Sequence, residues 1–180
     1  MRPPLATGKV KCITVGKFVL RRKNLLHDLK TATLIISFFD GTLKLNPGIA
    51  GVGGVICNAN GDCMVSYEWG LGHLSNNRAE ALALYQGLVQ LSKLGIDTAH
   101  IFGDSTVVIG LMAQNKYLPN VLLHLSISRC KNLGQSFITL TFCHILRSFN
   151  KDADLLANRA CHRALGSLRC YNEESHQYLP

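Results

Sequence analysis

The chain has few acidic residues, with 11 Asp and Glu against 19 Lys and Arg among its 180 residues. No apolar stretch approaches the roughly 18 residues that a membrane-spanning helix needs, which predicts a soluble protein. The seven cysteines include no CxxC pair and no Cys/His spacing typical of zinc. Their odd number and wide scatter predict reduced thiols, and hence an intracellular protein of the nucleus, the cytoplasm or an organelle.

The positive charge is concentrated near the N-terminus. Residues 1–33 contain eight Lys and Arg against one acid, Asp28, a net charge of +7, whereas the remaining residues carry only +1. A basic segment of this kind is typical of nucleic-acid binding, although a solvated tail has the same composition. We therefore divide the chain into a basic extension (1–33) without clear periodicity, one domain (34–167) and a C-terminal tail (168–180).

Apolar runs of strand length alternate with amphipathic patterns of helix length. The order β-β-β-α-β-α-α-β-α predicts an α/β fold with a five-stranded mixed sheet and helices on both faces. The predicted elements are strands in TLIISFFDG, AGVGGVICN and CMVSYEWGL, a helix from Asn76 to a C′ residue at Gly95, a strand in TAHIFGD, a short helix capped by Ser105, a helix over 120–133, a strand in FITLTFCHI and a helix from Lys151 to about Leu165.

Four of the few acids occupy element ends. Asp40 and Asp104 follow apolar strands, Glu80 is placed in the first turn of a helix, and Asp154 belongs to the last helix. Carboxylates brought together repel one another unless a cation is bound, and oxygen ligands select Mg²⁺ or Mn²⁺. Taken singly, each acid has an ordinary explanation as a turn, cap or solvated helix residue.

Four blocks in order carry a resemblance to a known family: DGTLKLNPG, SNNRAE, GDS, and His144 followed ten residues later by Asp154. Over about residues 34–165 the chain resembles a ribonuclease H type 1 domain, in the reverse-transcriptase-like version of plant retroelement-derived proteins. The resemblance implies a ribonuclease H-like fold and a monomeric nuclease. Its implied partner is an RNA–DNA hybrid, whose RNA strand it cleaves with two Mg²⁺ or Mn²⁺ ions to leave a 3′-hydroxyl.

The resemblance also implies individual roles. Asp40 would bridge two ions, Glu80 and Asp104 would hold one and Asp154 the other, while His144 would relay protons. His144 has a competing interpretation as a core or strand-end residue, because it shares the parity of the apolar strand face. Asn46, Ser75, Asn76 and Asn77 would hydrogen-bond the minor groove of the hybrid, where RNA displays its 2′-hydroxyls.

Ordinary structural roles compete for these polar residues as well. Asn46 suits a turn, Asn76 or Asn77 suits a helix cap, and Asn150 is interpreted as the cap of the final helix rather than as a ligand.

Two departures from the family pattern are visible. Leu45 stands where the family usually has a small residue, and the 50 residues between Asp104 and Asp154 leave no room for the basic handle helix of bacterial members. An alternative hypothesis is therefore a retroelement-derived module that binds nucleic acid but cleaves weakly or not at all. A structural remnant without activity, or a nuclease for DNA junctions or single strands, is a further alternative on the same fold.

Overall fold

The structure, a computed structural model, describes residues 15–17, 35–45, 48–114, 116–173 and 175–179. Most of the basic extension lies outside these residues. Within them the chain forms eight strands, four helices and one 3-10 turn at Arg147–Phe149. The strands are β1 (Val15–Lys17), β2 (Ile35–Leu45), β3 (Gly48–Cys57), β4 (Cys63–Leu74), β5 (Thr98–Gly103), β6 (Thr139–His144), β7 (Leu168–Asn172) and β8 (Gln177–Leu179), and the helices are α1 (Asn76–Lys93), α2 (Thr106–Ala113), α3 (Val121–Gly134) and α4 (Lys151–Ala160).

The strands form one mixed sheet in the order β1-β6-β5-β2-β3-β4-β7-β8. Strands β1, β6, β5 and β2 are parallel neighbours, and the remainder pair antiparallel. The predicted α/β class and mixed sheet are confirmed, but the sheet has three strands more than predicted. Strands β1, β7 and β8 have only three to five residues each, too few to give a periodic signal, and they extend the edges by pairing.

Residues 168–172, predicted to begin a tail, form strand β7 instead. This strand pairs with β4 from Trp69↔Leu168 to Val65↔Asn172. Its central residue Cys170 is buried against the sheet. The C-terminal segment therefore belongs to the same folded unit as the sheet.

Helices α1 and α4 cover opposite faces of the sheet. A Cβ on Gly41 would lie 2.3 Å from the backbone nitrogen of Glu80 in α1, and one on Gly53 would lie 2.4 Å from that of Ala157 in α4. Glycine at both positions lets the helix backbones approach the sheet closely. The main core lies on the α1 face, with residues such as Phe39, Leu88 and Ile101 almost completely buried.

Helix α1 ends as its sequence predicts. Gly95 has φ +70, its N–H donates to Ser92, and the N–H of Ile96 donates to Leu91. This pair of bonds is the Schellman motif, in which glycine avoids the steric cost of a positive φ. Within the described part of the chain, no helix combines the length and apolar character needed to cross a membrane.

Candidate active site

Two of the predicted acids come from neighbouring parallel strands. Phe38 of β2 is in register with Phe102 of β5, so Asp40 and Asp104 follow at equivalent positions two residues on. Glu80 approaches from α1, where it is the fifth residue and lies in the second turn rather than the predicted first. Gly41 allows this approach, and its N–H donates to Glu80 Oε2 at 3.2 Å. Strand order and helix packing thus bring three acids from distant blocks together.

Ligand oxygens of Asp40, Glu80 and Asp104 all lie within 4.8 Å of one another. Asp40 is 3% exposed and Glu80 5%, while Asp104 is half-buried. Asp40 Oδ2 is buried without a hydrogen-bond partner. An unpartnered buried carboxylate oxygen among other carboxylates fits a divalent cation bound by hard oxygen ligands.

The electrostatics of this carboxylate cluster support the same interpretation. Burial, followed by the negative charges of Asp104 and Asp154, raises the pKa of Asp40 to about 8. Burial and the charge of Asp40 raise the pKa of Glu80 well above its ordinary value. The cluster therefore binds protons near neutral pH unless another positive charge replaces them.

Asp154 lies beside the cluster and has a protein partner. It is in the first turn of α4, its side chain is 28% exposed, and its Oδ1 is 2.5 Å from Arg147 Nη2 in the 3-10 turn. Asp154 raises the pKa of Asp40 electrostatically, and Arg147 lowers it. The structure therefore gathers three predicted carboxylates in one cluster and places the fourth at its border, paired with a guanidinium.

Asn150 has a larger role at the site than its sequence position indicates. It occupies the predicted N-cap position of α4, but its side chain makes no capping hydrogen bond. Instead Nδ2 donates to the Phe39 carbonyl at 2.9 Å and to Asp104 Oδ1 at 3.2 Å, and the residue is 1% exposed. Asn150 thereby ties α4 to β2 and orients Asp104.

His144 lies at the carboxyl end of β6, next to the cluster. It is half-buried, and its Nε2 is 3.1 Å from the backbone oxygen of Asp104. Because a carbonyl only accepts, this contact requires the proton on Nε2, which leaves Nδ1 as an acceptor. His144 thus ends β6, as its competing interpretation as a strand-end residue predicts, and it contacts the backbone of a cluster residue.

The predicted substrate-binding residues at the start of α1 are exposed. Ser75 holds the N-cap position and makes no side-chain capping bond, so the alternative that Asn76 or Asn77 is the cap is wrong. Asn46 lies outside the described residues. Its neighbour Leu45 has φ +72 and is 86% exposed, a conformation that favours glycine and accounts for the usual small residue there.

Sequence reasoning missed the ion pair of Arg147 and the bridging role of Asn150. The signal for both was their position between His144 and Asp154, in the segment that turns from β6 into α4. Side chains in such a segment face the carboxyl edge of a parallel sheet, where ligand sites form.

Asp40 lies inside β2, just beyond its parallel pairing with β5, Asp104 directly follows β5, and Glu80 faces them from α1. This mixed sheet with its carboxylate cluster defines a ribonuclease H-like domain. The chain belongs to the reverse transcriptase-like family, whose model matches residues 38–160. It is 31% identical over 124 residues to ribonuclease HI of Halobacterium salinarum, covering 69% of this chain and 62% of that protein.

Solved structures agree with this assignment. Ribonuclease H1 of Halobacterium salinarum superposes with a TM-score of 0.69 at 30% identity, over 72% of this chain and 98% of that one. LC11-RNase H1, solved in complex with an RNA/DNA hybrid, gives a TM-score of 0.64 at 28% identity, over 71% and 96% of the two chains. The chain spans from 20% to 62% of the length of the curated relatives that it matches.

Proposed function

We propose that this protein is a metal-dependent endonuclease that hydrolyses the RNA strand of RNA–DNA hybrids and leaves a 3′-hydroxyl. The observation that carries the proposal is the convergence of Asp40, Glu80 and Asp104 within 4.8 Å, with a buried oxygen of Asp40 left unpartnered. Support comes from the relatives named ribonuclease H and from the structural neighbour bound to a hybrid. The physiological setting we propose is intracellular, with the protein acting as a monomer.

The three clustered carboxylates fit a divalent cation, and we propose that the site takes two Mg²⁺ or Mn²⁺ ions. Asp40, Glu80 and Asp104 would hold one, and Asp154 would complete the site for a second together with Asp40. Bound in this way, the ions would supply charge neutralisation at the phosphate and a water of lowered pKa. All the donors are carboxylate oxygens, the ligand type that these cations prefer.

The chain's own residues position the reaction around the carboxylates. The Asn150 side-chain amide donates a hydrogen bond to Asp104 Oδ1. This bond fixes the orientation of the carboxylate and therefore the direction of its remaining lone pairs. His144 Nδ1 is the acceptor left over by the bond to the Asp104 carbonyl, so it could take a proton during product release. Histidine is suited to this step because its charge changes near neutral pH.

Substrate recognition is proposed at the start of α1. Ser75, Asn76 and Asn77 are exposed, and Asn76 precedes Glu80 by four residues, about 6 Å along the helix axis. Polar side chains at this distance from the cluster are placed to hydrogen-bond 2′-hydroxyls next to the cleaved phosphate. Asn46, which the sequence places between β2 and β3, is proposed as a further contact.

A second candidate function is a retroelement-derived module that binds nucleic acid and cleaves weakly or not at all. The ion pair of Asp154 with Arg147 favours it, because a guanidinium held 2.5 Å from the fourth carboxylate competes with a second cation. A guanidinium at this position also suits a phosphate of bound nucleic acid.

Incubation of the purified protein with labelled hybrid, duplex DNA and duplex RNA separates these functions. A nuclease of the proposed class cuts only the RNA strand of the hybrid, requires Mg²⁺ or Mn²⁺, and stops when a chelator is added. Binding without cleavage at saturating Mg²⁺ would support the second candidate. Cleavage of duplex DNA at an equal rate would overturn the proposed substrate.

A further inference from the structure

Two cysteines face each other in the β3–β4 hairpin, away from the carboxylate cluster. Cys57 ends β3 and Cys63 begins β4, and the two are register partners. The register shifts by one residue between the pairs Ile56↔Val65 and Cys57↔Cys63, so the two cysteines meet at an irregular end of the ladder. Register partners of antiparallel strands have Cα atoms about 4.5 to 5.5 Å apart, within the range that a disulfide spans.

The hairpin loop that joins them is held by its own hydrogen bonds. Asn58 Oδ1 accepts from the N–H groups of Asn60 and Asp62, and Asn58 Nδ2 donates to Asp62 Oδ2 at 3.1 Å. The Asn58 N–H donates to the Asp62 carbonyl at 3.0 Å, and Gly61 has φ +88. The loop therefore fixes the separation of the two strands directly beside the thiols.

The remaining described thiols differ in burial. Cys57 and Cys63 are half-buried, whereas the other four are at most 5% exposed: Cys130, Cys143, Cys161 and Cys170. Burial raises the pKa of Cys130 to about 12 and that of Cys143 to about 11. The neighbouring Cys57 thiol lowers the pKa of Cys63, against the raising effects of burial, Glu173 and Asp152, which favours Cys63 as the attacking thiol of the pair.

The charged groups that act on the pair are acidic and come from three other segments. The charge of Asp152 in α4 acts to raise the pKa of both thiols. Asp62 of the loop does the same for Cys57, and Glu173 after β7 does so for Cys63. Negative surroundings disfavour an anionic oxidant such as a glutathione disulfide. A small neutral hydroperoxide is the oxidant class that this environment admits.

We propose that Cys57 and Cys63 form a reversible redox modification site, which a hydroperoxide oxidises to a disulfide across the β3–β4 hairpin. The Cys63 thiolate attacks one peroxide oxygen, the O–O bond breaks, and hydroxide leaves and is protonated to water. The Cys57 sulfur then attacks the resulting sulfenic sulfur, the S–O bond breaks, and a second water leaves. Two thiols and one hydrogen peroxide give one disulfide and two waters, and a dithiol reductant restores the thiols.

The effect of this modification is confined to the hairpin. Cys57 follows Gly53, the partner of Asp40, by four residues along β3, a separation of roughly 13 Å at the rise of a strand. The disulfide joins strands that are already in register, so we expect the hydrolytic activity to stay unchanged. The inference does not rest on the proposed function.

Peptide mapping of the full-length protein tests the proposal. The protein is treated with a small excess of hydrogen peroxide, unfolded in the presence of an alkylating agent that caps every free thiol, and digested with trypsin. Residues 45–77 contain no Lys or Arg, so one tryptic peptide, which ends at Arg78, carries both cysteines. We expect this peptide to lose two hydrogen atoms, and further cleavage before Asp62 to give two halves that separate only after reduction.

The buried cysteines serve as internal controls and should be recovered alkylated after unfolding. In a Cys57→Ser variant the reaction should stop at a sulfenic acid on Cys63, which dimedone captures. The proposal is overturned if wild-type Cys57 and Cys63 are recovered as separate alkylated or overoxidised residues while the protein remains folded. It is equally overturned if Cys63 pairs with a different cysteine.

Discussion

Two buried carboxylates on the same face of the sheet are held in opposite ways. Asp40 pairs across the ladder with Gly53, and Gly53 pairs with Glu68, so the two acids are two strand spacings apart, about 10 Å. They are 3% and 5% exposed, and α4 passes over the glycine between them. Their surroundings nevertheless differ completely in charge.

Glu68 has its positive charges supplied by the protein. Arg163 donates to Glu68 Oε1, and Arg159 Nε is 3.6 Å from Oε2. Both arginines come from α4 and the residues that follow it. Each carboxylate has one buried oxygen without a hydrogen-bond partner, but that of Glu68 lies 3.6 Å from Arg159. Asp40 instead faces the carboxylates of Glu80, Asp104 and Asp154. A buried carboxylate requires a positive charge beside it. At Glu68 the protein supplies this charge, whereas at Asp40 the position of the cation is left to a ligand.

The largest effect is expected from Asp104→Asn, which removes a negative charge from the cluster and keeps the shape of the side chain. We expect hydrolysis of a hybrid to fall by about a thousandfold or more, because several kcal/mol of transition-state stabilisation depend on the metal site. Unfolding of the metal-free protein should be no easier than in the wild type, since a repulsion is removed.

Asp97→Asn is the matched control, an exposed acid next to the opposite end of the same strand β5. It should leave turnover unchanged. Wild-type turnover in Asp104→Asn would contradict the assignment of the cluster as the metal site.

At Glu68, the carboxylate outside the cluster, we expect substitution to reduce stability rather than activity. Glu68→Gln leaves Arg163, whose side chain is 17% exposed, without its counter-ion. The free energy of unfolding should fall by about 3 kcal/mol, measured by urea denaturation. Asp40→Asn is the paired variant and should have the opposite sign in metal-free buffer above pH 8, where Asp40 is ionised, because it removes a buried negative charge that faces other carboxylates. Equal destabilisation by both variants would show that the two carboxylates do not differ in this way.

The pH dependence of stability offers a smaller and more specific test. The folded-state pKa values of Asp40, about 8, and of Glu80 are raised, so their contribution to stability is present below about pH 4 and is lost as pH rises toward 8. The metal-free melting temperature should therefore fall over this range, and Mg²⁺ should raise it more at pH 8 than at pH 5. In Asp40→Asn the Mg²⁺ effect should be smaller at both pH values. An Mg²⁺ effect independent of pH would contradict the raised pKa values.

The smallest effect is expected from the basic extension (1–33), which has eight Lys and Arg but only one acid, Asp28. Deleting residues 1–33 would also remove β1, which pairs with β6, so we suggest replacing Arg21, Arg22 and Lys23 by Gln. Hybrid binding should weaken, and the slope of log affinity against log salt should become shallower by up to about 3, while turnover at saturating substrate stays constant. Identical slopes would identify the segment as a solvated tail.

Much of the fold could be predicted from local patterns. The period of the apolar residues identified five strands and four helices in the right order, and Gly95 marked the end of α1. These features depend on backbone geometry within a few residues. The short strands β7 and β8 could not be predicted, because three to five residues carry no period. They form only by pairing in the folded sheet, β7 with β4 and β8 with β7.

The candidate site also has features that local sequence predicts and features that depend on the fold. Sequence by itself identified the four acids and the elements that carry them, since apolar runs are local. It placed Asp40 after a strand, whereas β2 continues through Asp40 to Leu45. Only the tertiary structure decided which acids pair with an arginine and which are left for a bound cation. Asn150 donates to the Phe39 carbonyl, 111 residues away in the chain, and Arg163 donates to Glu68, 95 residues away. Arg147 donates to Asp154. Burial and charge pairing depend on distances between segments far apart in the chain, and these distances exist only once the sheet and α4 have packed together.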